Sequence, residues 1–438
     1  MQSAIRTRYK MHWQKNYQII QKRWPSFAQA LDSAQIGDNI EYFDQGPDPT
    51  LLIDDLQLTS CYNRAKEARL HLNLLPPGTE EIVFYGFALG DTLHQTIEQG
   101  SMLKISVMPL NLSLSKASLY FFDQQEWLRD PRVEFITEAP SEPTNKPFIT
   151  NPIELRLSDD SHVVLRDKLT LHILESHSKE KMLEREPHMQ RNILANHSII
   201  ADDGDVRQLF DTHQQGVSVV VGAGPTLSMQ FSLLHKIRSN TQVICVSRAL
   251  KPLLDEGITP NVIIAIDPED SVQTHFQDLP VQKLQNIPLV YLPCVNPNVL
   301  RGWPGPRLTT YVEHQRYIET MRTFPKGTLF TSGTVVHSAV DLAVRMGSNK
   351  VIMMGIDFAL PGGKSHAENV ANAEKTATKS NYTLIDGHGQ RVPTNTPFII
   401  YLRDLENYIE KRPDVTFLNT GRTGAMIKGT KWLEETND

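Results

Sequence analysis

A chain of 438 residues that is 40% hydrophobic and 21% charged can bury two domain cores, which excludes a disordered polypeptide. Its net charge of -6 argues against a protein built mainly to grip nucleic acid, and no run approaches the ~20 apolar residues that span a bilayer. Three cysteines, Cys61, Cys245 and Cys294, stand far apart and outside any CxxC. Neither a disulfide scaffold nor a zinc site is indicated, and a reducing cytoplasm is the expected compartment. The basic N-terminus lacks the apolar stretch of a signal peptide and reads as a solvated helix face.

In chain order, "NYQIIQKRWPSFAQAL" predicts a helix stopped or kinked at Pro25. "EIVFYGFALGDTLHQTIEQG" predicts a strand, a glycine turn from Gly86 to Gly90 and a helix, while "LKISVMPLNLS" and "RVEFITE" read as strands. Residues 1–150 therefore form a smaller α/β domain. The segment Ala139 to Pro152 holds four prolines and reads as a connection, and a long helical pattern from Leu165 is expected to break near Pro187. Residues 151–195 are a linker and helix. From residue 196 to the end, "VSVVV", "QVICVS", "NVIIAID", "PLVYLP" and "KVIMMGID" are short Val/Ile-rich runs, several separated by amphipathic segments. That alternation predicts a Rossmann-like parallel sheet buried on both faces. A helix, "TPFIIYLRDLENYIEKR", then a strand, "VTFLN", and a glycine-punctuated loop complete the chain.

The first strand-to-helix turn of this core is "VSVVVGAGPTLSMQF". Such turns lie at the carboxyl ends of parallel strands, where α/β folds bind ligands. Gly222 and Gly224 allow positive φ and a close ligand, and Pro225 suits the first helical position. The next turn, from Thr226, would offer N–H groups and the helix dipole to a phosphate. The spacing is neither GxGxxG nor a P-loop, so NAD and ATP-hydrolysis readings lose ground. A second turn, Thr331-Ser332-Gly333-Thr334, precedes another helix; its hydroxyls are N-caps that also suit an anion. His337 follows one turn later. Asp267 and Asp357 each end an apolar strand, a position from which a carboxylate can meet a ribose hydroxyl, a metal or a substrate amine. Asp267 and Asp270 in "DPED" do not make a convincing metal-binding DxD, so no metal site is assigned. His366, with Lys364 on the glycine-rich loop after Asp357, is a candidate general base.

Taken in order, "VVVGAGPTL", "ICVSRALKPLLDEGITPNVIIAIDP", "TSGTVVHSAVDLAVRMGSNKVIMMGIDFALPGGKSHAEN", "GQRVPTNTPFIIYLRDLENYI" and "FLNTGRTGAMIKGT" resemble the motility-accessory-factor (Maf) glycosyltransferase family. The resemblance runs from about Asn196 to the end; Thr226 stands where the family has serine, and Gly333 where a glycine pair is commoner. It implies a GT-A-like, sialyltransferase-like core that needs no metal or other cofactor. The implied reaction transfers a nonulosonic acid of pseudaminic or legionaminic type from a CMP-sugar to Ser/Thr hydroxyls of flagellin, in the service of motility.

On that basis Gly222, Gly224, Pro225, Thr226, Ser332, Gly333 and Thr334 would hold the phosphate, and Asp267 the nucleotide. His366 is favoured as base and His337 as phosphate contact, with Asp357 beside them in the catalytic set. Two other readings stand against this one. A 6-hydroxymethylpterin pyrophosphokinase is one, since a related archaeal family shares this core; it would draw on Asp267, Glu269 and Asp270 for Mg²⁺-ATP. A non-catalytic nucleotide- or flagellin-binding protein is the other.

Overall fold

The computed structural model describes residues 2–54, 56–136, 146–365 and 382–433. They form two compact units, Met1–His172 and Ile173–Asp438. In the first, a helix over Gln2–Arg23 is followed by a second over Pro25–Ser33, with Pro25 at its first turn as its missing N–H dictates. Strands β1 (Ile40–Phe43), β2 (Thr50–Ile53) and β3 (Leu56–Gln57) make an antiparallel sheet. Strands β4 (Glu81–Tyr85), β5 (Lys104–Met108), β6 (Val133–Phe135) and β7 (Phe148–Thr150) make a parallel one in the order β6-β5-β4-β7. After β4, Gly86 and Gly90 take φ of 79° and 81° at the turn into the helix Asp91–Gln99.

Two expectations change here. Phe148–Thr150, read as part of a connection, is strand β7 and pairs with β4, and Pro152 opens a short helix over Pro152–Arg156; residues 139–145 of that segment lie outside the described residues. The helix Val163–Ala195 runs through Pro187 without ending, and the boundary between the units falls within it. A proline removes one backbone donor, which a long helix survives.

The second unit is built on nine strands: β8 (Gly204–Asp205), β9 (Val217–Val221), β10 (Gln242–Val246), β11 (Val262–Ala265), β12 (Leu289–Tyr291), β13 (Arg307–Thr309), β14 (Lys350–Met354), β17 (Thr416–Asn419) and β18 (Lys431–Trp432). Between β14 and β17 the chain forms a separate antiparallel hairpin, β15 (Tyr382–Ile385) and β16 (Arg391–Thr394). The sheet order is β18-β17-β14-β9-β10-β11-β12-β13-β8, and every adjacent pair is parallel. This is the α/β parallel-sheet core anticipated from the Val/Ile runs. Val219, Val220 and Val221 are wholly buried, as strands covered on both faces must be.

From β9 the chain steps outward to β13, then returns to the other side of β9 as β14. A crevice opens outside the carboxyl ends of the strands where the order reverses in this way. The helix Val335–Arg345 packs against β9, β10, β11 and β14. It does so because Ala339, Val340, Leu342 and Ala343 share its buried face, Val340 and Leu342 each contributing roughly 1.5–3 kcal/mol.

Candidate functional site

The turns after β9 and β14 are zipped together. Gly222 N–H donates to Met354 O at 2.8 Å and Gly224 N–H to Gly355 O at 2.8 Å. A Cβ at Gly222 would lie 2.4 Å from Gly355 O, so glycine is required by close backbone approach. Gly224 does not use the positive φ open to a glycine: its φ is -70° and its ψ 163°, extended backbone open to any residue. Its constraint is spatial instead: a Cβ there would sit 2.4 Å from Asp357 Oδ2 and 2.8 Å from Gly355 O.

Pro225 does open a helical segment, but it is a 3-10 turn over Pro225–Met229 rather than a long α-helix. Its first donors are also taken. Asp357 accepts from Thr226 N–H at 2.9 Å and from the Thr226 hydroxyl at 2.5 Å, while Leu227 N–H returns to Gly224 O at 3.1 Å. The Asp357 carboxylate thus occupies the place that sequence reasoning assigned to a phosphate. The C-terminal loop closes over it as well, since a Cβ at Gly421 or Gly424 would lie 3.0 or 2.7 Å from Asp357 Oδ1.

Asp357 is 4% exposed, and burial pushes its carboxyl up to about 6 against the opposing bonds from Thr226. A carboxyl whose folded pKa exceeds its unfolded value of 3.8 stabilises the fold fully below pH 3.8. That contribution is lost as pH rises through 6. An asparagine can accept the Thr226 N–H through its carbonyl oxygen and donate its amide to the Thr226 hydroxyl, without titrating. Urea unfolding should therefore show wild type losing about 3 kcal/mol relative to Asp357→Asn between pH 3.8 and pH 7. A difference that stays flat across this window would remove the buried-carboxyl account.

The second turn is also internally satisfied. Thr334 caps the helix Val335–Arg345 through its side chain, and Gly333 takes φ of 83° with a Cβ position 2.9 Å from the Tyr401 ring. Ser332 donates its N–H to His337 Nδ1 at 3.0 Å and its hydroxyl to Asp404 at 2.5 Å. His337 Nε2 meets Tyr401 O at 2.8 Å. With Nδ1 accepting, the proton sits on Nε2 and both ring nitrogens are used. His337 is wholly buried, and burial holds its pKa down to about 4. It is a packed, neutral side chain that braces the turn. The phosphate contact and catalytic role expected of it would require one of these two bonds to break, because both ring nitrogens are engaged. Of the Thr331–Thr334 segment only Thr334 reaches the cavity described next.

A cavity of about 230 Å³ opens at the carboxyl ends of β9, β10, β11 and β14. Its walls include Gly224 and Pro225, Asp267, Thr334 and Asp357, all anticipated from sequence. They also include Ser247, Arg248, His275, Phe398 and Tyr401, which were not. Arg248 had a legible signal, since "QVICVSR" places it two residues past β10, where crevice residues belong. His275 had none. Its Nε2 accepts from Arg248 Nε–H at 3.2 Å, and its Nδ1 lies 3.3 Å from the Ser247 hydroxyl. Burial and the Arg248 charge lower its pKa to about 4. Phe358, also on the wall, has φ of 46°, a strained value for a large side chain; Thr394 donates to its carbonyl at 2.7 Å. The mixture of apolar wall, one arginine, several hydroxyls and an exposed carboxylate suits a polar anionic ligand with an apolar face.

The carboxylates of "DPED" turn apart. Asp267 accepts from Glu269 N–H at 3.1 Å, Glu269 pairs with Arg185 at 3.1 Å, and Asp270 accepts from Asn296 at 2.5 Å. His366 lies outside the described residues. A smaller cavity in the first unit, about 20 Å³ and flanked by the Arg64–Asp91 ion pair, has room for about one water. Among the described residues no helix is long and apolar enough to cross a membrane.

No curated protein matches the chain. Among solved structures it is similar to a MAf glycosyltransferase from Magnetospirillum magneticum AMB-1, at 14% identity and a TM-score of 0.47, over 98% of this chain and 75% of that one. It is also similar to one of the dipicolinate synthase chains of Bacillus halodurans, at 13% identity and a TM-score of 0.15, over 61% of this chain and 95% of that one. Neither likeness is close enough to fix a function. Residues 191–363 match the family model of 6-hydroxymethylpterin diphosphokinase MptE-like domains. The matched stretch lies in the second unit and includes the turns after β9 and β14 that border the cavity.

Proposed function

We propose that the chain is a CMP-sugar-dependent glycosyltransferase that moves a nonulosonic acid of pseudaminic or legionaminic type to Ser/Thr hydroxyls of flagellin. The observation that carries this reading is the cavity itself. The motifs behind the Maf resemblance converge on it from the ends of β9, β10, β11 and β14, with Arg248, Ser247, Thr334 and Asp267 on its walls. In the reaction the acceptor hydroxyl oxygen attacks the anomeric carbon, the bond from that carbon to the phosphate oxygen breaks, and CMP leaves with the electron pair. The hydroxyl proton goes to a base, and His366 is the residue we propose for it. Thr334 and Ser247 hydroxyls and the Arg248 charge meet the phosphate as its charge grows. Asp267, exposed on the wall, accepts from a nucleotide hydroxyl. Gly222, Gly224, Pro225 and Thr226 shape the turn that borders the cavity, and the reaction as written routes no step through a metal or other cofactor.

Calorimetry with CMP, ATP and NAD tests the reading. CMP should bind at least about tenfold tighter than either of the others, a difference of about 1.4 kcal/mol. Tighter binding of ATP or NAD would sink it. Transfer to flagellin, followed by mass spectrometry, should keep its rate within a few-fold in EDTA.

The family match favours one second reading, a 6-hydroxymethylpterin diphosphokinase. That chemistry needs carboxylates gathered on Mg²⁺-ATP, and Asp267, Glu269 and Asp270 would have to leave their present partners to supply them. Release of AMP from ATP in the presence of the pterin would establish it.

A further inference from the structure

Resting on the nucleotide-sugar reading, we propose that Arg248 is the oxyanion anchor of the cavity, and that His275 is the positioning residue that holds it there. The Thr226 N–H, the first donor a phosphate would have met at the β9 turn, is consumed by Asp357 at 2.9 Å. A ligand anion in the cavity therefore needs a donor elsewhere on its wall. Arg248 lies on that wall at the end of β10. A guanidinium matches the paired oxygens of a phosphate or a carboxylate, and it keeps its charge at any working pH.

An arginine side chain is long and loses much rotamer freedom when a ligand fixes it. Here the freedom is already reduced. Arg248 Nε–H donates to His275 Nε2 at 3.2 Å. That bond requires a lone pair on Nε2, so the imidazole proton is on Nδ1, facing the Ser247 hydroxyl 3.3 Å away. His275 is 8% exposed, and its burial and the Arg248 charge both keep it neutral. Ser247, His275 and Arg248 thus form a chain in which the buried histidine fixes one hydroxyl and one guanidinium on the same wall. Asp267 lies on that wall too and interacts electrostatically with Arg248, which suits it to hydroxyl groups of the ligand rather than to its anion.

A CMP-nonulosonic acid carries two oxyanions close together, the nucleotide phosphate and the sugar carboxylate. The shared chemistry is an oxyanion, and separate probes distinguish its two sources. The full-length protein is titrated calorimetrically with CMP and with free N-acetylneuraminic acid, and urea midpoints are measured in parallel. Arg248→Ala should weaken at least one probe by about tenfold with the urea midpoint unchanged. A loss on CMP alone assigns the phosphate, and a loss on the sugar acid alone assigns the carboxylate. His275→Leu should weaken the same probe several-fold, and His275→Gln, which keeps an acceptor for Nε–H, should restore most of it. A merely structural histidine would lower the midpoint in both variants without this split in affinity. Should Arg248→Ala fold poorly, Arg248→Gln removes the charge at similar length and carries the same expectation. Wild type that binds CMP while Arg248→Ala keeps full affinity for both probes overturns the anchor and leaves the transferase reading standing. Equal affinity in His275→Leu and wild type overturns the positioning role. Wild type that binds neither probe overturns both the anchor and the reading beneath it.

Discussion

His337→Ala should cost the second unit about 3–5 kcal/mol of stability, one of the largest losses expected from a single side chain here. Three terms add. An imidazole-sized void opens in a region where the native residue is wholly buried. The Ser332 N–H loses its acceptor at 3.0 Å, and the Tyr401 carbonyl loses its donor at 2.8 Å. The loss should also depend on pH. The folded pKa of about 4 lies below the unfolded value of 6.5, so the stability that neutral His337 contributes is present above pH 6.5. It is lost as pH falls through 4, a change of about 3 kcal/mol that the alanine variant lacks. This slope is opposite to that of Asp357 across nearly the same window. The two oppose each other in wild type and become visible only when one of them is removed. Urea unfolding at pH 4 and pH 7 measures both effects. A His337→Ala protein of unchanged stability that has lost CMP affinity would return this residue to the ligand.

Gly224→Val should cost the same unit about 3 kcal/mol or more, through space rather than backbone conformation. Valine is compatible with φ of -70° and ψ of 163°. Its Cβ, however, would meet the Gly355 carbonyl at 2.8 Å, and that oxygen is held in the β14 turn by its bond from Gly224 N–H. It would also press on Asp357 Oδ2 at 2.4 Å and strip the buried carboxylate of its Thr226 bonds. Leaving that charge buried and unpartnered adds to the steric cost. The denaturation profile should show early loss of the second unit, with the first unit's transition in place. Gly222→Ala, set against the same Gly355 oxygen at 2.4 Å, should be destabilised in the same manner. A Gly224→Val protein with wild-type stability would show that the two turns are not locked as described.

The order of elements in the second unit was readable because its causes are local. Val219 to Val221 announce a strand buried on both faces by being apolar without alternation. Pro225 announces the first position of a helical turn by lacking an N–H, and Thr334 a cap by carrying a short hydroxyl. From such signals the parallel sheet, the ends of its strands and the members Gly224, Asp267, Thr334 and Asp357 of the cavity wall followed without coordinates. The short strands Gly204–Asp205, Arg307–Thr309 and Lys431–Trp432 did not, since two or three residues hold too little pattern to stand out.

What the tertiary structure alone decided is which donors and acceptors are already spent. Thr226 meets Asp357 across 131 residues of chain, His337 meets the Tyr401 carbonyl across 64, and Arg248 meets His275 across 27. A local stretch shows that an N–H, an imidazole or a guanidinium is present at a strand end. Whether it faces a ligand or a buried partner depends on what the fold brings against it, because a buried polar group must be satisfied by whichever partner is nearest in space. That rule gives two expected ligand groups, Thr226 and His337, partners within the fold and puts an arginine passed over in the sequence on the cavity wall.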